Sequence, residues 1–171
     1  MFLIPGPVKR WMYRGDRPHG VAKLLNRGWA KVASTGRGPK QLATLEVRGR
    51  RSGRLRAFPV MVADYEGERY LVPMLGEGAN WVANVRAAHG RAVLRRGRDE
   101  AILLEEIDEP DRGPILKRYM EVAPAARPHF PVVRGAPLAQ IQRIAGHYPV
   151  FRIRPDPGAI GGDPVESGSE D

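Results

Sequence analysis

The sequence predicts a mostly β domain, an antiparallel barrel of about six short strands with two or three added helices. Three observations predict it. Short alternating or apolar stretches bounded by glycine-containing turns recur between residues 41 and 153. The helical patterns are few, and the strand–helix–strand alternation of a doubly wound sheet is missing. No Gly-x-Gly-x-x-Gly run follows a strand, which argues against an ordinary dinucleotide fold.

The elements follow in order. Residues 1–20 are rich in Pro and Gly and read as extended. Val21, Leu25, Trp29 and Val32 recur at helical spacing over 21–34, with Lys23, Arg27 and Lys31 on the opposite face. Gly36, Gly38 and Pro39 end that helix. From Gln41 to Val47, Leu42, Thr44 and Glu46 alternate with Ala43, Leu45 and Val47 as a strand requires. Arg48 to Arg54 forms a glycine-bounded turn, and Arg56 to Ala63 a mostly apolar strand. Glu66-Gly67 turns the chain into a third strand, Arg69 to Pro73. After the glycine loop Gly76-Glu77-Gly78, Asn80 is placed to cap a helix from Trp81 to Ala88. Arg91–Arg96 and Ala101–Ile107 read as a hairpin around Gly97-Arg98-Asp99, and Asp111–Val122 as a helix. The Pro-rich stretch 124–137 is long enough for a lid or a pocket wall. A short helix, Leu138–His147, and a last strand, Val150–Ile153, complete the pattern.

Composition narrows the chemistry. The 171 residues suit one domain, and 42% hydrophobic residues suffice for one core. No apolar run reaches the roughly 18 residues of a spanning helix. The opening Met1-Phe2-Leu3-Ile4 is cut off at Pro5, too soon for a secretory signal. Cysteine is absent, which excludes disulfides, thiolate metal sites and cysteine nucleophiles and fits a reducing cytoplasm. His19, His89, His129 and His147 are scattered without metal-ligand spacing. The net charge of +9 is lopsided: residues 1–56 hold 14 of the 28 Lys and Arg but only two acids, Asp16 and Glu46. A basic third implies an anionic partner, whether nucleic acid, membrane surface or an acidic small molecule.

The most informative stretch is Arg48-Gly49-Arg50-Arg51-Ser52-Gly53-Arg54-Leu55-Arg56. Two glycines let backbone N–H groups crowd toward a ligand, and a concave run of N–H groups binds anions. Guanidinium forks suit phosphate and carboxylate, and Ser52 adds a hydroxyl donor. An exposed basic hairpin turn has the same spacing, and RNA would fit it equally well. Nucleic-acid barrels, however, interleave aromatics with basic residues, and residues 48–56 contain none.

Gly49-Arg50-Arg51-Ser52-Gly53-x-x-Arg56 followed by Pro59-Val60 resembles the motif of the deazaflavin-dependent nitroreductase and quinone reductase family. Two further blocks are similar: Tyr70 to Glu77 with Asn80-Trp81-Val82-x-Asn84-Val85-Arg86, and the closing His147-Tyr148-Pro149-Val150-Phe151-Arg152-Ile153. The resemblance spans residues 42 to 153 in the family's order. It implies a small split β-barrel, of the kind that also binds FMN, holding coenzyme F-420, a deazaflavin with a phosphodiester and an oligoglutamate tail. By this resemblance Arg50, Arg51, Ser52, Gly53 and Arg56 hold the phosphate and first carboxylates. Phe58, Pro59, Val60, Met61, Pro73, Met74, Leu75 and Gly76 line the ring slot, and Trp81, Val82 and Asn84 reach the cofactor from the helix. Tyr119 is the nearest match to the family's late pocket tyrosines and the candidate catalytic proton donor, with His129 and water as alternatives. The family's nitroreductases carry a polar Ser or Lys before the loop glycine, where Met74 and Leu75 stand here.

The expected organisation is therefore an extended segment at 1–20, a split-barrel cofactor-binding domain at 21–154 and a disordered tail at 155–171. The expected activity is hydride transfer from reduced F-420 to a small quinone, nitro or activated-alkene acceptor. The alternatives are an FMN-binding or non-redox ligand-binding split barrel and, less well supported, a nucleic-acid-binding barrel. Expected partners are the small-molecule electron acceptor, a second copy of the chain, and an anionic inner membrane face met by the basic 21–34 helix, with no nucleic acid. The excess of Arg over Lys fits a GC-rich, actinobacterial genome.

Overall fold

The computed structural model describes residue 35 and residues 39–159. The expected extended segment and the 21–34 helix lie outside the described residues, as does the tail beyond residue 159.

Six antiparallel strands close into a barrel: β1 (Leu42–Arg48), β2 (Leu55–Tyr65), β3 (Glu68–Leu71), β4 (Arg91–Arg95), β5 (Asp99–Glu106) and β6 (Phe151–Pro155). Around the barrel they run β1, β2, β3, β6, β5, β4, and β4 returns to β1 through the pair Leu45–Leu94. Three helices are added: α1 (Asn80–Ala87), α2 (Arg112–Val122) and α3 (Leu138–Ile144). The protein is thus a small split β-barrel with helical additions.

The local chemistry accounts for the turns. Glu66 and Gly67 both take positive φ, 50° and 78°, between the paired residues Tyr65 and Glu68. Such a two-residue turn follows the twist of the flanking strands. The β4–β5 turn has Gly97 at φ 71° and is closed by Arg95 Nε donating to Asp99 Oδ1 at 2.6 Å. β2 is the longest strand because it serves two partners. Leu55 to Met61 pair with β1, and Val62 to Tyr65 pair with β3. That change of partner carries the sheet around the barrel.

Strand alternation builds two cores. Ala43, Leu45, Val47, Val60, Leu71, Leu94, Ile102, Leu104, Phe151 and Ile153 fill the barrel, with Trp81, Val82 and Val85 of α1 packed onto them. Ala63 of β2, Tyr70 of β3 and Val72 just beyond it join a second cluster with Ile115, Leu116 and Tyr119 of α2 and Ile141 of α3. Full burial of each such aliphatic side chain stabilises by about 1.5–3 kcal/mol. The outer face of β1 is less polar in effect than its alternation predicts, since Leu42 and Thr44 are buried as well.

Element ends differ from the expectation in instructive places. Asn80 does not cap α1. The cap is Ala79, whose N–H closes the Gly76–Gly78 turn on the Gly76 carbonyl at 3.1 Å and whose own carbonyl receives Val82 N–H at 3.1 Å. Asn80 becomes the first helical residue. The Pro-rich stretch 124–137 is pinned as a wall: Phe130 stacks on Tyr148 at 4.3 Å, and Tyr148 Oη donates to the His129 carbonyl at 2.8 Å. The helix expected over Leu138–His147 tightens into a 3₁₀ turn at Ala145–His147. Residues 155–159 continue in regular contact, with Asp156 N–H bonded to the Ala101 carbonyl at 3.1 Å.

Candidate functional site

The β1–β2 turn is built from its glycines. At Gly49 a Cβ would stand 3.0 Å from Ser52 Oγ and 3.2 Å from the Arg54 carbonyl. Gly53 takes φ +65°, a conformation that L side chains rarely adopt. Gly49 N–H donates to the Arg54 carbonyl at 2.8 Å, and Gly53 N–H to the Gly49 carbonyl at 2.9 Å. Arg54 N–H donates to Ser52 Oγ at 3.3 Å, which uses the hydroxyl as an acceptor and leaves its own proton for another partner. The N–H groups of Gly49, Arg50, Gly53 and Arg54 are therefore already bonded within the protein. The turn thus presents guanidinium side chains outward and no closed ring of free amides.

Those side chains are exposed and uncompensated. Among the described residues, no carboxylate lies within ion-pair distance of Arg50, Arg51, Arg54 or Arg56. Elsewhere the chain matches arginine with acid: Arg69 with Glu100, Arg86 with Glu77 and Glu106, Arg118 with Asp64 and Glu121, Arg154 with Glu105. A positive turn left unmatched in a chain that pairs so many of its other arginines suits an external anion. The glycine-shaped turn and guanidinium groups without an acid partner suit in their chemistry the phosphate and carboxylates of a deazaflavin tail.

Helix α1 ties this turn down. Asn84 Oδ1 accepts Arg50 N–H at 3.2 Å and Arg50 Nη1 at 3.0 Å, across 34 residues of sequence. Asn84 itself is only 5% exposed. Two positions on, Arg86 holds Glu77 of the glycine loop and also Glu106 of β5, through Nη2 at 2.7 Å. Glu106 also pairs with Arg112, whose Nε donates to the Ile107 carbonyl at 2.8 Å. These bonds push the Arg86 guanidinium pKa up and pull the Glu77 carboxyl below its ordinary value. The loop is fixed from the other side by Gly76, at φ +72°, where a Cβ would come within 2.6 Å of the His147 carbonyl.

The expected ring-slot residues divide between the two cores. Phe58, Val60 and Leu75 pack with the barrel interior beside Trp81 and Val82, and the Trp81 ring lies 5.6 Å from Phe151. Met61 and Met74 pack with the outer helical layer. Successive strand residues point to opposite faces, so Val60 and Met61 separate for that reason. Pro59 is half-buried on β2, opposite Thr44, and Pro73 is fully buried. Tyr119 is in the outer core, 3% exposed, with its ring 6.1 Å from Phe130. Burial pushes its phenol pKa well up, which weakens it as an acid. Glu77, Arg86 and Tyr148 shape the site without having stood among its predicted residues. All three stand inside the blocks that carry the resemblance, but Glu106, which Arg86 binds, and His129, whose carbonyl Tyr148 reaches, are remote in sequence from them.

No curated protein matches the chain. Among solved structures, an F420-H2 dependent reductase (FDR-A) is 17% identical, covers 67% of this chain and 95% of its own, and superposes with a TM-score of 0.46. A putative pyridoxamine 5'-phosphate oxidase from Listeria innocua is 11% identical, with 68% of this chain and 84% of its own covered and a TM-score of 0.46. The sequence itself matches a family over residues 24–130, more than half of its length and inclusive of the arginine turn, the glycine loop and α1. The chain belongs to the F420H(2)-dependent quinone reductase family, a family of oxidoreductases.

Proposed function

We propose that the protein binds reduced coenzyme F-420 with its phosphate and glutamate tail on the Gly49–Arg56 turn, and reduces a small acceptor, a quinone before a nitro compound or an activated alkene. The unmatched arginine turn, locked to α1 through Asn84, carries this reading. When bound, the deazaflavin supplies the hydride, so the protein needs no nucleophile or metal of its own. Among the described residues no cluster of His, Asp or Glu could hold a metal ion. The residues of this chain bind and orient. Arg51 and Arg56 draw the tail, Ser52 donates its hydroxyl proton to it, and the Pro73–Gly76 segment with Phe58 and Pro59 borders the ring. Apolar Met74 and Leu75, standing where the family's nitroreductases are polar, favour the quinone. Water is the better proton source than Tyr119, whose burial raises its phenol pKa.

A fluorescence titration tests the cofactor. F-420 should bind at least about tenfold more tightly than FMN, because FMN lacks the carboxylates that the arginines can hold. Equal affinities would return the protein to the FMN-binding or non-redox alternatives. In this reading two chains pair, and the basic 21–34 segment meets an anionic membrane face. Sedimentation velocity and co-sedimentation with phosphatidylglycerol vesicles test those two partners. No helix among the described residues is long and apolar enough to cross a membrane.

A further inference from the structure

Asn84 and Thr44 are the buried polar side chains of the described barrel. Asparagine is a poor helix former, so propensity does not explain Asn84 in the middle of α1. A buried carboxamide must find partners, and both donors that reach Asn84 Oδ1 belong to Arg50. Because both are donors, the oxygen and not the amide nitrogen must face them. No carboxylate of the described residues lies within ion-pair distance of Arg50, so the atom that orients its guanidinium is neutral. An aspartate could make the same two bonds, but it would cancel the charge it positions. The neutral oxygen fixes both backbone and side chain of Arg50 while the positive charge and the other donors of the fork remain available. An exposed arginine held in advance loses less freedom when an anion arrives.

We infer that Asn84 is a positioning residue for the anionic tail of the cofactor: it acts through Arg50, setting the shape of the arginine turn while preserving its charge, and does not act on the reacting ring. The inference rests on the proposed cofactor reading, and it separates two ends of one ligand. Asn84→Ala should weaken F-420 binding by about tenfold, the loss of roughly one charge-assisted bond. Asn84→Asp, which keeps the acceptor and guards against a folding defect, should also weaken it and should flatten the fall of affinity with salt. The deazaflavin chromophore lacking phosphate and tail should bind both variants like the natural chain. In a double-mutant cycle, Asn84→Ala should add little to Arg50→Ala. Equal weakening of the tail-less chromophore, or additive losses in the cycle, would overturn the inference. If the natural chain binds neither deazaflavin, the cofactor reading fails by itself. The same variants are then read with inorganic pyrophosphate by the amide shifts of Ser52 and Gly53. Shifts that depend on Asn84 sustain the inference without the cofactor, and their absence in the natural chain ends it.

Discussion

At the residue scale, Arg51 and Arg56 make the sharpest expectation. Both are exposed and, among the described residues, matched by no acid. A charge-assisted contact to phosphate or carboxylate is worth about 1.5–3 kcal/mol. Arg51→Ala or Arg56→Ala should then weaken F-420 binding by roughly 10- to 150-fold. Salt should weaken the natural chain more steeply than either variant, and turnover should recover at saturating cofactor because the tail is remote from the hydride. Variants that bind like the natural chain would reduce the turn to an exposed hairpin. Trp81 is a second case. Its ring packs on Phe151 within the barrel core, so Trp81→Ala should cost about 3–5 kcal/mol in denaturant unfolding. A loss below about 1 kcal/mol would mean that the indole is held for a ligand more than for packing.

At the scale of elements, α1 holds both loops of the site, the arginine turn through Asn84 and the glycine loop through Arg86. Arg86→Met keeps much of the side-chain volume and removes the bonds to Glu77 and Glu106. Amide exchange over Gly76–Ala79 should quicken, while β1 and β4 exchange as before. Gly76→Ala meets a harder limit. It combines a positive φ with a Cβ only 2.6 Å from the His147 carbonyl, and should destabilise by about 1–3 kcal/mol. Unchanged stability would show that the loop can leave the His147 wall. The ion pairs also set a pH dependence. The carboxyls of Glu77 and Glu100 are held below their ordinary value of 4.5 by hydrogen bonds from Arg86 and Arg69. Their stabilisation is therefore complete above the unfolded carboxyl pKa and is lost as pH falls through the lower folded one. The midpoint of urea unfolding should be flat near neutrality and should fall below about pH 4.5. In Arg86→Met the part of that fall due to Glu77 should vanish.

For the whole molecule, the barrel closes on itself, and both cores depend on that closure. Leu45 is fully buried between β2 and β4, so Leu45→Ala should cost about 2–5 kcal/mol and leave unfolding cooperative. By contrast, removal of residues 1–20 should leave a soluble chain with cooperative unfolding, because Pro5, Pro7, Gly15, Pro18 and Gly20 argue against packed structure there. Loss of cooperativity in thermal melts would assign that segment to the core or to a subunit interface.

Local patterns along the chain were enough for the strands, the turns and the residue chemistry of the Gly49–Arg56 turn. Alternation in Leu42–Val47, the Glu66-Gly67 turn and the crowding of Arg50, Arg51, Arg54 and Arg56 are local facts, set by neighbours along the chain. Local patterns also located α1 and the glycine loop before it, although they misplaced the cap by one residue at Asn80. Which side chains meet depends instead on the packing of segments far apart in the chain. Asn84 finds Arg50 across 34 positions because α1 packs against β1, whose end leads into the turn. Arg86 finds Glu106 because the fold brings the end of β5 beside α1, and Met61 parts from Val60 because the two faces of β2 enter different cores. Such contacts depend on strand closure and helix docking, whose energy is spread over many apolar residues. No short motif records them, so the turn and the helix could each be read from their residues while the bonds that join them could not.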